Sequence, residues 1–285
     1  MDAAAWQSGG SHFGFQNHNL FARRGGQGSP LLLIHGFPTS SFDWASVWPV
    51  LSEAKELHAL DMLGFGLSDK PRDYPYSIRA SADQWQAYAQ DRQLTDVSIL
   101  SHDYGNTVAQ ELLAREQEGR LPFRIREVTF LNGGLFPEAT YPILMQKLLL
   151  GPFGPVMARL SSYRSFAASM WKICTQVPDE PSLRAHWRLL ECNHGRLVLP
   201  KIIQYIKERR THRERWVGAL LNSDIPLFLI NGLDDPISGA SIVARWRELL
   251  PDSKVIELSG IGHYPQWEAP VEVLKALACR KQSRG

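Results

Sequence analysis

Val97-Ser-Ile-Leu-Ser-His-Asp-Tyr-Gly-Asn106 leads directly into Thr107-Val-Ala-Gln-Glu-Leu-Leu113. An apolar run that gives way to small-x-acid-x-small and then to an amphipathic segment has the layout of a strand, a sharp turn and a helix. Ser101 and Gly105 hold the two small positions, which the turn needs because its backbone passes close to itself. The usual form of such an elbow, G-x-S-x-G, carries serine at its tip; here the tip is Asp103. A carboxylate held out in this way suits attack on an alkyl carbon, which gives an alkyl ester. Attack on an acyl centre would give an anhydride, a poor route.

Outward from the elbow the same alternation recurs. Leu31–Ile34, Leu57–Asp61, Val97–Leu100, Val128–Leu131, Pro226–Ile230 and Lys254–Leu258 read as buried strands. Helical patterns occupy Phe42–Glu53, Ile78–Gln93, Thr107–Glu118, Ala240–Leu250 and Val271–Arg280, and 12–15 with 19–22 fit an antiparallel hairpin at the start. Continuous apolar strands alternating with helices predict an α/β fold with a mostly parallel sheet covered on both faces. The alternation stops between about Leu135 and Ser223, where helix-like runs are separated by Pro142, Pro152 and Pro155. We therefore expect a core of 1–134 and 224–285, with a helical cap, 135–223, inserted after the sixth strand. That insertion leaves the sheet at its carboxyl edge, where ligands of open α/β sheets bind.

Composition narrows the function. The 285 residues carry a net charge of +2, so neither nucleic acid nor an anionic membrane is expected as a partner. The one dense basic run, Lys207–Arg215, contains two glutamates and reads as a solvated helix face. Three widely spaced cysteines, Cys174, Cys192 and Cys279, fit free thiols rather than a disulfide framework or a zinc site. The N-terminal MDAAAW has no basic segment followed by an apolar core, and no apolar run reaches about 18 residues. A cytoplasmic protein with no signal peptide and no membrane span is expected. No cluster has metal-ligand spacing, and neither metal nor cofactor is expected.

Two further strand exits carry chemistry. Gly232-Leu-Asp-Asp-Pro-Ile237 and Gly260-Ile-Gly-His-Tyr-Pro265 each follow a strand, so their side chains can converge on Asp103. Hydrolysis of an ester on Asp103 needs a base to draw a proton from water, which His263 can supply, and a carboxylate to fix its imidazole. Asp234 and Asp235 both qualify chemically. His35 and His102 flank motifs and read as structural hydrogen-bonders. Gly64-Phe-Gly66, without a P-loop lysine pattern, reads as a turn rather than a phosphate cradle.

HGFP (35–38), DMLGFGLSDKP (61–71), SHDYG (101–105), GLDDPI (232–237) and GIGHYPQWEAP (260–270) together resemble the epoxide hydrolase and haloalkane dehalogenase branch of the α/β-hydrolase family. The resemblance spans about His12 to Leu277. SHDYGNTVAQELL, NGGLFPE and RERWVGALLNSDIP are similar to a less well-defined member of that branch. It implies the chain order nucleophile, acid, base as Asp103, Asp235 and His263, with Asp235 chosen over Asp234 by the family's Gly-x-x-Asp pattern. It also implies an oxyanion hole from the N–H groups of Phe37 and Tyr104, and a small apolar substrate, an epoxide or an alkyl halide. Epoxide opening needs an acid, which the epoxide hydrolases take from cap tyrosines; Tyr205 holds such a position, ahead of Tyr163 and Tyr141. Halide release needs N–H donors, for which the cap offers Trp171, Trp187 and Trp216, but Tyr104 and Phe37 stand where dehalogenases typically have donors. Phe42 and Trp44 read as pocket lining or core. Asn132 stands where one dehalogenase subgroup carries its acid, and its lack of charge favours Asp235. The expected activity is epoxide hydrolysis, with haloalkane dehalogenation or a non-catalytic binding module on the same fold as the alternatives.

Overall fold

Leu31, Leu32, Leu33 and Ile34 are all buried, and they alternate between two apolar cores. Leu31 and Leu33 face Trp6, Trp44 and Trp48 on one side of the sheet, whereas Leu32 and Ile34 face Trp85, Tyr88 and Leu112 on the other. A strand that is apolar on both faces must lie inside a sheet covered twice, and it does. A computed structural model describes residues 1–176 and 179–280. Eight strands form one sheet: β1 (Gly10–Phe15), β2 (His18–Gly25), β3 (Ser29–Ile34), β4 (Lys55–Leu60), β5 (Asp96–Ser101), β6 (Arg124–Phe130), β7 (Leu227–Gly232) and β8 (Lys254–Leu258). Their spatial order is β1-β2-β4-β3-β5-β6-β7-β8. β1 and β2 are the antiparallel hairpin, β2 also runs antiparallel to β4, and every pairing from β4 to β8 is parallel.

β5 ends in the elbow. The next helix, Tyr104–Gln117, begins directly after Asp103, three residues earlier than its apolar periodicity indicates. Asp103 takes a positive φ of 45°, rare for a residue with a side chain. The crowding around it explains the small residues. A Cβ on Gly105 would lie 2.3 Å from the Ile34 carbonyl oxygen, and one on Gly133 would lie 2.6 Å from the Asp103 Cα.

Three expectations change. The helix expected over 42–53 is a 3-10 turn, Ser41–Trp44, followed by a short helix, Trp48–Leu51. Pro49 has no N–H to donate, so the chain restarts with proline in its first turn. The insert between β6 and β7 is helical, but its last helix, Arg213–Leu221, belongs with the layer on the sheet. Its Trp216 indole and Arg215 guanidinium donate to Glu111 at 2.9 and 2.7 Å, and Gln117 donates to its Ala219 carbonyl. A boundary at 223 is therefore one helix too late. The solvated reading of the basic run holds for exposed Lys207 and Arg210 but not throughout: Arg215 pairs with Glu111 and Glu118, and Arg209 is buried. The carboxylates that neutralise them come from a helix about a hundred residues away in sequence.

Gly105→Ala is expected to cost about 3 kcal/mol, because the added methyl meets backbone that cannot move aside. Gly14→Ala, whose methyl would meet nothing within 4 Å, should stay within about 0.5 kcal/mol. Urea unfolding of the two variants measures the contrast.

Candidate active site

Asp103, Asp235 and His263 come together at the carboxyl ends of β5, β7 and β8, and all three are buried. His263 Nδ1 donates to Asp235 Oδ2 at 2.7 Å, which leaves Nε2 as its basic nitrogen. Asp234, the chemically equal alternative, is exposed. The local turn separates the two neighbours: Asp235 Oδ1 accepts from the Ile237 N–H at 2.8 Å and Oδ2 from the Ser238 hydroxyl at 2.5 Å.

Burial alone would lower the His263 pKa, but the charge and hydrogen bond of Asp235, with Asp103 and Glu268 behind them, raise it to about 8. Burial likewise opposes the Asp235 charge, yet His263, Ser238 and the Ile237 N–H hold that carboxyl below its ordinary range. Each partner thus stabilises the charged form of the other.

Asn132 connects two of these groups. Its carbonyl accepts from the Asp103 N–H at 2.8 Å, and its side chain donates to Asp235 Oδ2 at 3.1 Å and to the Gly232 carbonyl at 2.9 Å. A glutamate here would set a second charge against Asp235; the amide instead donates to it.

The Phe37 N–H donates to Asp103 Oδ2 at 3.2 Å. The Tyr104 N–H is the first of its helix and, like every first-turn N–H, has no acceptor within the helix. Arg209 was not singled out by sequence reasoning. Its guanidinium donates to the Asp103 carbonyl and the Thr107 hydroxyl, both at 2.8 Å, and reaches Asp103 Oδ1 at 3.5 Å. Nothing in the pattern of Lys207–Arg215 separates Arg209 from its solvated neighbours. The available clue was Tyr205, one helical turn earlier on the same face.

Tyr205 is buried, with its ring 5.8 Å from Phe37 and 5.0 Å from Tyr104, the residues on either side of Asp103 in space. Arg209 lies over its ring at 4.5 Å. The hydroxyl has no hydrogen-bond partner of ordinary geometry. Burial, then the charge of Asp103, push its pKa upward against the opposing pull of Arg209.

The other aromatic candidates lie apart. Tyr141 is 60% exposed and Trp171 63% exposed. Tyr163 is half-buried beneath Arg184, and Trp44 belongs to the core beneath the opposite face of the sheet. Trp216 is committed to Glu111, which leaves Trp187 as the cap tryptophan lining the cavity. That cavity, of about 80 Å³, lies between Phe37, Pro38 and His263 below and the cap helices above. Its walls are mainly apolar, from Leu149, Phe166, Met170, Ile173, Leu190 and Ile237.

His35 and His102 are neutral supports. Burial lowers both pKa values, that of His102 to about 3. His102 Nε2 donates to the His263 carbonyl at 2.8 Å, and His35 Nδ1 donates to the Gly36 carbonyl while Nε2 accepts from the Met62 N–H. Glu268 adds a second brace. It accepts from the Gly262 and Tyr264 N–H groups around His263, and from Thr175 and Gln176 at the end of a cap helix. The His263 N–H also donates to the Ile173 carbonyl of that helix. Among the described residues no group of side chains is arranged to hold a metal ion, and no helix is long and apolar enough to cross a membrane.

The family model for the alpha/beta hydrolase fold matches residues 29–270. LipZ of Mycobacterium tuberculosis is 39% identical over 270 residues, 93% of each chain. The mesoderm-specific transcript homolog protein of Bos taurus is 40% identical over 288 residues, 95% of this chain and 85% of that one. Among solved structures, the haloalkane dehalogenase DatA from Agrobacterium tumefaciens superposes with a TM-score of 0.81 at 20% identity, covering 95% of both chains.

Titration of His263 by NMR should give a midpoint near 8, and Asp235→Asn should move it below the ordinary histidine value because burial then acts unopposed. Since folding raises this pKa, the pair's stabilisation is complete below about pH 6.5 and is lost as pH rises through about 8. The destabilisation by Asp235→Asn, read from urea unfolding, should therefore be about 2 kcal/mol larger at pH 6 than at pH 9.

Proposed function

Because the chain belongs to the α/β-hydrolase family, we propose that it hydrolyses epoxides to vicinal diols through an alkyl ester on Asp103, beneath a cap formed by residues 135–211. Asp103 Oδ1 attacks the less hindered ring carbon as the carbon–oxygen bond breaks. The leaving oxygen takes the Tyr205 hydroxyl proton. His263 Nε2 then draws a proton from water, and the hydroxide formed attacks the Asp103 carboxyl carbon. The Phe37 and Tyr104 N–H groups stabilise the tetrahedral oxyanion, whose collapse releases the diol. The imidazolium, held by Asp235, returns its proton through water to Tyr205. Arg209 fixes the Asp103 carbonyl and balances the carboxylate charge.

One observation carries this reading: the Tyr205 hydroxyl is buried with no hydrogen-bond partner of ordinary geometry, in the aromatic shell over Asp103. An unsatisfied buried hydroxyl costs about 1–3 kcal/mol, and a substrate oxygen that accepts from it removes that cost. Its raised pKa keeps the proton on the phenol at the alkaline pH where His263 becomes a free base. Dehalogenation is the second reading, favoured by Trp187 at the cavity wall; it needs no acid and leaves Tyr205 without a task.

Exposure of His263→Gln protein to styrene oxide should add one styrene oxide mass to Asp103, because only the second half-reaction is blocked. Addition of a butyl group from 1-bromobutane alone would move the assignment to dehalogenation, and no adduct with either reagent counts against a nucleophilic Asp103. Tyr205→Phe should slow epoxide opening about a hundredfold or more while sparing any alkyl halide turnover. In the wild type, single-turnover hydrolysis of the ester should accelerate as pH rises through about 8.

A further inference from the structure

Large apolar side chains exposed on this molecule are not scattered evenly. Among the described residues, and apart from Met1, Val50, Leu221 and Val271, they all lie between residues 141 and 171. Isolated exposed apolar residues are ordinary, but a cluster calls for a covering partner. Two successive helices, Leu144–Leu150 and Gly154–Leu160, form its centre. Leu149 and Ala158 turn inward, whereas Leu144 and Leu148 lie one turn apart on an outer face, as do Val156 and Leu160, with Phe153 a turn before Val156. Each helix is thus apolar on the side away from the protein. Exposed Trp171 extends the patch from the Tyr163–Ile173 helix.

The charge on the same stretch has one sign. Lys147, Arg159, Arg164 and Lys172 are all exposed, and no Asp or Glu occurs from 139 to 178. Among the described residues none of the four is in an ion pair. The cavity reaches this place too: its half-buried lining residues Met145, Gln146, Ser165 and Ser169 belong to the helices that carry Leu144, Leu148 and Trp171.

We infer that the outer face of the cap, residues 141–172, docks on an anionic lipid bilayer with the mouth of the apolar cavity beside it. An exposed apolar face ringed by cations is what an interfacial element presents: apolar side chains enter the acyl boundary while basic groups meet anionic headgroups. Tryptophan and tyrosine suit the headgroup level. Uncharged, chain-bearing substrates dissolved in the bilayer would then reach the cavity without crossing water. The docking itself does not depend on the chemistry assigned to Asp103.

The full chain should float with vesicles of phosphatidylcholine containing about one third phosphatidylglycerol, and less with phosphatidylcholine alone or at high salt. The double variant Phe153→Ser, Leu160→Ser should weaken binding about tenfold, and Lys147→Glu with Arg159→Glu should remove most of the preference for anionic lipid. Both should keep the wild-type melting temperature and the turnover of a short water-soluble epoxide, so loss of folding or of the Asp103 chemistry is seen separately. Failure to float with anionic vesicles, or binding indifferent to both double variants, overturns the inference. So does a dimer in sedimentation equilibrium that Phe153→Ser, Leu160→Ser dissolves, since the face would then belong to a second copy.

Discussion

Backbone lies against backbone around Asp103, and the site inherits its geometry from that contact. The β3 strand ends under the start of the Tyr104–Gln117 helix so closely that Gly105 has no room for a methyl group. Gly36 and Gly133 face the turn at similar range from other directions. The positive φ of Asp103 persists because these segments leave the tip nowhere else to go. Hydrogen bonds then fasten the turn to its neighbours: His102 N–H to the Ile34 carbonyl, Asp103 N–H to the Asn132 carbonyl, and the Asn106 amide to Leu131. The carboxylate at the tip is held by main chain, and mobile side chains need only approach it.

Around that fixed point the charges are arranged in pairs. Asp103 faces Arg209, and Asp235 faces His263, all four buried. Isolated, any of these charges would be costly in a buried site; pairing and hydrogen bonds offset that cost. The pairing also divides labour. Asp235 is bound on both oxygens by the turn that carries it, so it orients the imidazole and stays where it is.

Much of this was legible in the sequence because it is local. The strands announce themselves by apolar runs, and the elbow, HGFP and GIGHYP each declare a strand exit within a few residues. The choice of Asp235 over Asp234 rested on resemblance, since two adjacent carboxylates look alike until a turn points one inward. What escaped reading depends on distant partners. Arg209 and Arg215 look like solvent-facing cations until Asp103, Glu111 and Glu118 arrive from far along the chain. Tyr141 and Trp171 are attractive by residue type, and only the folded cap, with Tyr141 on an irregular segment and Trp171 on a helix, shows that they face outward. The net charge of +2 averaged away a cap segment with four cations and no acid.

Glu268 joins two parts of the molecule that the topology keeps separate. One of its oxygens is shared between the Gly262 N–H before His263 and the Thr175 and Gln176 N–H groups beyond the last turn of a cap helix. Ile173 adds its own bond to the His263 main chain. Cap and histidine loop are therefore one mechanical unit, although about ninety residues separate them in sequence. A cap borrowed from a relative to change substrate range would import its own 173–176 segment against a foreign histidine loop. Grafts that exchange 260–268 together with the cap keep the seam intact.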